Sequence, residues 1–351
     1  MTTASRTSVG VLGGGSWGTT LAHLYAFAGN EVLLWVRRGE QADEINSAHT
    51  NTRYLPGYSI HPNVRATLDM EEVAKACDVI VVSVPSHSLR ETAYELGNYV
   101  GGDQILVSAT KGLEPGTFAR MTDILRQETC CKKVGSLSGP NLAREIMDGH
   151  PAATVIASAY DEVIERGAQM LASSVIRVYG NRDVVGVELA GALKNILAIA
   201  SGLATGLGMG DNAKAFMITR GLAEVSRLAV AAGANPLSFS GLAGVGDVIA
   251  TCSSPLSRNH QVGKRLGEGE KLADILKSMV MVAEGVNTTK VAMEYATTLG
   301  VELPITGGVY QILFHETRPM EVIEKLMVRR ATYEIDGSPI LPARIPTQPP
   351  R

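Results

Sequence analysis

The chain has 351 residues, enough for two domains of ordinary size with cores of their own. A formal net charge of −3 and a sequence pI near 6.2 argue against a protein built to grip nucleic acid or an anionic membrane surface. Hydrophobic residues at 45% exclude disorder, and the 37 glycines, well above the average of about 7%, follow no every-third-residue period, which excludes collagen.

Short apolar runs alternate with helix-like stretches through the first half. The pattern predicts strands at 8–12, 31–36, 79–84 and 105–109, with helices at 19–28, 71–76 and 89–99. Further short apolar runs lie at 133–137, 153–157 and 175–179. Strands separated by helices make βαβ units and a mostly parallel, doubly wound sheet. After about residue 181 strand-like runs nearly vanish. Ala/Leu/Gly-rich helical stretches take over at 184–201, 212–232, 274–279 and 287–299. The expected organisation is an α/β domain over 1–185, an all-α domain over 186–335 and a loose tail over 336–351, which holds five prolines.

The most apolar long stretch, 187–209, is interrupted by Glu188, Lys194 and Asn195 and is rich in Ala and Gly. It reads as a buried helix, so no stable membrane insertion is expected. The first eight residues are polar and too short for a signal peptide. Cys77, Cys130, Cys131 and Cys252 are too few and too scattered for a disulfide scaffold, and no CxxC or Cys/His cluster offers a zinc site. A cytosolic chain without a metal is the expectation.

The first strand runs directly into Gly13-Gly14-Gly15-Ser16-Trp17-Gly18, which contains G-x-G-x-x-G at Gly13, Gly15 and Gly18 and opens the first helix. In such a loop the first glycine allows the turn, the second lets backbone approach a pyrophosphate, and the third lets helix pack on strand. The helix start then presents free N–H groups to the phosphates. An NAD-specific site usually carries an acid about 20 positions on. This chain instead places Arg37 and Arg38 there, 19 and 20 residues beyond Gly18. A guanidinium pair suits a 2′-phosphate, so NADP(H) is favoured or at least tolerated. The plainer reading is two solvated arginines at a strand end.

Ligands of doubly wound sheets bind outside the carboxyl ends of the strands. Lys111 follows the strand at 105–109, Gly139-Pro140-Asn141 follows the run at 133–137, and Val84-Pro85-Ser86 ends another strand. Lys111 could reach cofactor and anionic substrate, or be an ordinary surface lysine. Lys194 lies mid-helix with Ala190, Gly191 and Ala198 on its own face. Small neighbours leave room for another molecule, and desolvation would bring the ammonium toward a working pKa. Farther on, Gly241 to Gly246 make a flexible glycine-rich segment ending in Asp247. Ser257-Arg258-Asn259 then precedes a helix-like run, with Asn259 as a plausible N-cap and Arg258 beside the helix start, a setting equally suited to capping and to phosphate binding.

Taken in order, Gly-Gly-Gly-Ser-Trp-Gly at 13–18, Ser-Ala-Thr-Lys-Gly at 108–112, Leu-Ser-Gly-Pro-Asn at 137–141, Gly-Ala-Leu-Lys-Asn at 191–195, Gly-Val-Gly-Asp at 244–247 and Ser-Arg-Asn at 257–259 resemble bacterial-type NAD(P)-dependent glycerol-3-phosphate dehydrogenases. The likeness runs from about 9 to 332 and implies a Rossmann-like α/β domain followed by an all-α C-terminal domain. It implies that Ser16, Trp17, Arg37, Arg38, Tyr54 and Ala143 contact the NADP(H) or NAD(H), and that Lys111 touches both cofactor and substrate. Gly139 and Asn141 would face the substrate, although many members carry a hydroxyl residue where Asn141 stands. Lys194 would be the proton donor and acceptor. Asp247, Ser257, Arg258 and Asn259 would hold the glycerol phosphate, with Arg258 also near the cofactor, and Val282 and Glu284 would close over the nicotinamide nucleotide. The resemblance further implies a cytoplasmic homodimer reducing dihydroxyacetone phosphate for glycerophospholipid synthesis. Two rivals are a related hydroxy-acid dehydrogenase and a non-catalytic NADP(H)-binding sensor. The Ser257-Arg258-Asn259 site argues against a non-phosphorylated substrate, and a sensor would not need Lys194 on a small-residue face.

Overall fold

The computed structural model of the chain describes residues 8–279, 281–330 and 334; the expected tail at 336–351 lies outside them. In chain order the first half forms β1 (Ser8–Leu12), α1 (Ser16–Phe27), β2 (Glu31–Trp35), α2 (Gly39–Ala48), the short hairpin of β3 (Thr50–Asn51) and β4 (Leu55–Ser59), β5 (Val64–Thr67), α3 (Met70–Ala76), β6 (Val79–Val82), α4 (Leu89–Gly97), β7 (Ile105–Ser108), α5 (Met121–Glu128), β8 (Lys133–Ser138), α6 (Ala143–Met147), β9 (Ala152–Ser158), α7 (Asp161–Leu171) and β10 (Ile176–Asn181). A helical C-terminal domain follows: α8 (Val184–Gly206), α9 (Asp211–Ala231), α10 (Asp247–Ser253), α11 (Arg258–Gly267), α12 (Leu272–Ser278), α13 (Glu284–Leu299), α14 (Pro304–His315) and α15 (Pro319–Met327).

Eight strands make one sheet in the order β10-β9-β8-β7-β6-β1-β2-β5. Only the β8–β9 pairing is antiparallel. The central strands read as unbroken apolar runs because helices cover both faces. Val9, Val11, Val79, Val81 and Val107 pack under Leu21, Leu24 and Tyr25 of α1. Their alternates Ile80, Val82 and Leu106 pack under Val73, Leu89, Leu96 and Ile124 of α3, α4 and α5. The period of two thus divides one sheet between two cores.

The second half is organised around α8, the one helix among the described residues long and apolar enough to cross a membrane. Inside the protein 94% of its most apolar window is buried. Its seam with α11 depends on missing side chains: a Cβ on Gly263 would lie 1.9 Å from Ile199 O, and one on Gly202 2.0 Å from His260 O. Backbone therefore lies against backbone along this seam. The helix runs on to Gly206, beyond the expected 184–201, because those glycines serve close packing and do not end it.

Candidate active site

The strand order reverses between β1 and β6, and the loop at 13–18 sits in the crevice outside their carboxyl ends. Gly13 has φ +117°, and a Cβ there would lie 2.4 Å from Ser83 O; one on Gly18 would lie 1.9 Å from Gly13 O. A Cβ on Gly15 would meet nothing within 4 Å, so the backbone at Gly15 is open to a ligand. Gly15 is also the N-cap of α1, which has no side-chain cap and no acid in its first turn. Free N–H groups, a partial positive charge and no competing carboxylate fit a dinucleotide pyrophosphate. Trp17 Nε1, buried without a partner, is another donor on this loop.

Ser16 Oγ donates to Tyr54 O at 2.8 Å and lies 3.0 Å from Met281 Sδ, which ties the loop to both domains. The Arg38 guanidinium carbon is 5.8 Å from the centroid of the Tyr54 ring, while Arg37 is exposed at the end of β2. Two residues not singled out in the sequence brace the loop: Gln41 Nε2 donates to Gly14 O at 2.5 Å, and Asn51 Nδ2 donates to the same oxygen at 3.0 Å.

A buried charge cluster joins the segment after β7 to α8 and α10. Lys194, 7% exposed, donates to Asp247 Oδ1 and to Thr251 Oγ1, each at 2.5 Å. Lys111 donates to Asp247 Oδ2 at 2.7 Å and to Gly139 O at 3.1 Å. Asp247 is 1% exposed, so one sequestered carboxylate lies between two ammonium groups. Burial pushes Lys194 down to about 8; Asp247 opposes that shift and the positive charge of Lys111 assists it. The cluster keeps a surplus of positive charge in a largely dry place, which suits a small anion.

Local folding explains how these groups meet. The glycine-rich segment Leu242–Gly246 is a turn kinked at Gly244, whose φ −93° and ψ −105° are not helical, packed on the short helical turn Pro236–Ser240. The sequence suggested a flexible loop, but a Cβ on Gly244 would lie 2.1 Å from Phe239 O, so glycine here permits a tight turn that delivers Asp247 to the start of α10. Thr251 stands one helical turn after Asp247, a spacing that would have revealed it. The space beside Gly191 is not left for a ligand: it is filled by Ser138 Oγ, a buried hydroxyl with no hydrogen-bond partner, and by the Lys111 stem.

Around the cluster, Asn259 Nδ2 donates to Asn195 Oδ1 at 2.9 Å, and Gly285 N donates to Asn259 Oδ1 at 2.9 Å. Asn259 is thus not the N-cap of α11. Ser257 takes that position with extended backbone, its Oγ accepting from His260 N at 3.2 Å, which turns Asn259 inward. Arg258 is exposed and donates to Val282 O at 2.7 Å. Glu284 Oε1 and Oε2 accept from Ser86 N and Oγ at 3.0 and 2.5 Å, bridging the start of α13 to the turn after β6. Ala143 opens α6. Asn141 is not directed at the cluster: its Nδ2 donates to Ala153 O and its Oδ1 accepts from Thr154 Oγ1, so both polar ends are used by β9.

A dinucleotide cradle at the switch point of a doubly wound sheet, with a helical domain setting a buried lysine beside it, defines a two-domain NAD(P)-dependent oxidoreductase. Residues 8–164 match the description NAD-dependent glycerol-3-phosphate dehydrogenase N-terminus and residues 183–324 its C-terminus, and the chain belongs to that family. It is 47% identical to glycerol-3-phosphate dehydrogenase [NAD(P)+] of Acinetobacter baylyi over 91% of this chain and 89% of the relative. It is 44% identical to the enzyme of that name from Teredinibacter turnerae, over 93% and 96% of the two chains. Among solved structures it is similar to a glycerol-3-phosphate dehydrogenase from Coxiella burnetii, with a TM-score of 0.88, 33% identity, and coverage of 92% of this chain and 99% of that one.

Proposed function

We propose that the chain catalyses reversible hydride transfer between NAD(P)H and dihydroxyacetone phosphate, giving sn-glycerol 3-phosphate, with Lys194 as the proton donor and acceptor. The observation that carries this reading is the buried Lys111–Asp247–Lys194 cluster, whose Lys111 follows β7 at the carboxyl edge of the sheet that also carries the loop at 13–18. Residues 1–185 serve as the dinucleotide-binding unit and 186–335 as the substrate and catalytic unit. The nicotinamide, when bound, supplies the hydride. The loop at 13–18, Ser16, Trp17, Arg37, Arg38, Tyr54 and Ala143 hold the dinucleotide, and Val282 and Glu284 close the far side.

The chain's own groups supply position, charge and a proton. Lys194 stabilises the alkoxide that develops at the carbonyl oxygen and protonates it. Asp247 and Thr251 fix the ammonium in place. Arg258, Ser257 and Asn259 at the start of α11 hold the phosphate, with Lys111 and Gly139 nearby, and so determine which carbon faces the cofactor. Asn141 keeps a supporting place beside Gly139 through β9. The family likeness supports a homodimer working in the cytoplasm for glycerophospholipid synthesis. Loss of NADPH absorbance on adding dihydroxyacetone phosphate tests the whole reading; cofactor binding without turnover would reject it.

The reaction's pH dependence follows from Lys194. Reduction needs the ammonium, so its kcat/KM should fall as pH rises through about 8, while oxidation needs the free amine and should rise through the same region. Profiles measured in both directions check this. Parallel curves in the two directions would remove Lys194 from proton transfer.

A further inference from the structure

We infer that Arg53 is a specificity-determining residue, supplying a third guanidinium to the 2′-phosphate of NADP(H) across the ring of Tyr54. The inference rests on the cofactor reading above and extends it to a residue that no motif marked. Two segments converge on one ring. Arg38, at the end of β2, and Arg53, in the turn between β3 and β4, each place the guanidinium carbon 5.8 Å from the Tyr54 centroid. Ser16 Oγ, bonded to Tyr54 O, ties that ring to the phosphate loop.

Among the described residues no carboxylate is in direct contact with the arginines of this rim. Elsewhere Arg65, Arg90, Arg120, Arg182 and Arg265 all pair with carboxylates. Among the described residues Arg37, Arg38 and Arg53 form no ion pair, and the only hydrogen bond from the three is Arg38 to Gln41 Oε1, a long 3.5 Å. On the same side α2 carries Glu40, Asp43 and Glu44; Glu44 feels the charge of Arg38 through space but turns Oε1 onto Thr50 Oγ1, Thr52 N and Thr52 Oγ1. Three guanidinia without an ion pair among the described residues thus gather around Tyr54 near the carboxyl end of β2, where the ribose 2′ group lies once a pyrophosphate sits on the loop at 13–18. Planar forks arriving from different chain segments suit a phosphate that accepts on several oxygens, and the face of Tyr54 steadies the cations meanwhile.

The test compares binding of adenosine 2′,5′-bisphosphate and 5′-AMP by titration calorimetry at low salt. Arg53→Met keeps an apolar stem and removes the charge. It is expected to weaken the bisphosphate about five- to tenfold and 5′-AMP less than about twofold, with the difference shrinking as salt rises. Arg53→Lys should recover part of the difference. Equal loss for both probes, or no loss for either, overturns the role of Arg53, and the cofactor reading survives if Arg37→Ala/Arg38→Ala weakens the bisphosphate more than 5′-AMP. A wild-type protein that binds both probes equally overturns the inference and the 2′-phosphate reading together.

Discussion

Replacing Lys194 with alanine is expected to lower turnover by at least about a thousandfold and to leave NADPH affinity within a few-fold. The magnitude combines two roles of one ammonium. Stabilising a developing oxyanion is worth about 100- to 1,000-fold, and proton transfer adds about 100-fold or more. Affinity is spared because Lys194 bonds Asp247 and Thr251 and, among the described residues, no group of the loop at 13–18. The variant should fold, since Asp247 keeps Lys111 as its partner. Steady-state rates beside a cofactor titration measure both quantities. A rate within tenfold of wild type would assign the proton to another group.

Asp247→Asn is expected to cost both activity and stability. Among the described residues the carboxylate is the only anion bonded to the two ammonium groups, and removing it leaves them facing each other in a largely buried place. Breaking one side of such an arrangement costs about 3–5 kcal/mol, toward the lower end here because Lys111 keeps some solvent contact. The pH dependence has a definite sign. Lys194 in the folded wild type is already below its ordinary 10.5, chiefly through burial, and losing Asp247 moves it lower. A lysine depressed in the folded state costs stability once pH falls below its unfolded value. The deficit of the variant should therefore narrow as pH rises from neutral to about 8, where wild-type Lys194 gives up its own proton, and stay level above it. Denaturant midpoints on both sides of pH about 8 measure it. A constant deficit would mean that lost packing, and not stranded charge, is the cause. Reduction should also fail, because Lys194 would then be neutral at the working pH.

Much of this was legible in the residues because local rules and global fold agree. The βαβ half announced itself through unbroken strands such as β6 and β7, which are buried on both faces. The loop at 13–18 could be read because each glycine answers a separate steric demand. Elements made of mixed residues stayed hidden: α2 is mostly polar, and β5 is a four-residue edge strand. At the site, Lys194, Lys111 and Asp247 were each singled out, but their sharing of one carboxylate was not, because it depends on α8, α10 and the end of β7 meeting in space. The N-cap reading of Asn259 was the complementary error, since Ser257 takes that place. Only the positions of β9 and Asn195 reveal how the amides of Asn141 and Asn259 are used within the fold.

The glycine seam between α8 and α11 has a consequence for mutational surveys. Gly263 touches no ligand-bearing group, yet a single methyl there has nowhere to go but into the Ile199 carbonyl, and α11 must be displaced. That helix carries Arg258 and Asn259 at its start, with Ser257 as its N-cap, so the displacement travels along it to the residues proposed to hold the phosphate. In a deep scan, Gly263 would score with the residues of the chemistry itself. Its intolerance would register in a folding assay as well, because the clash falls on buried backbone.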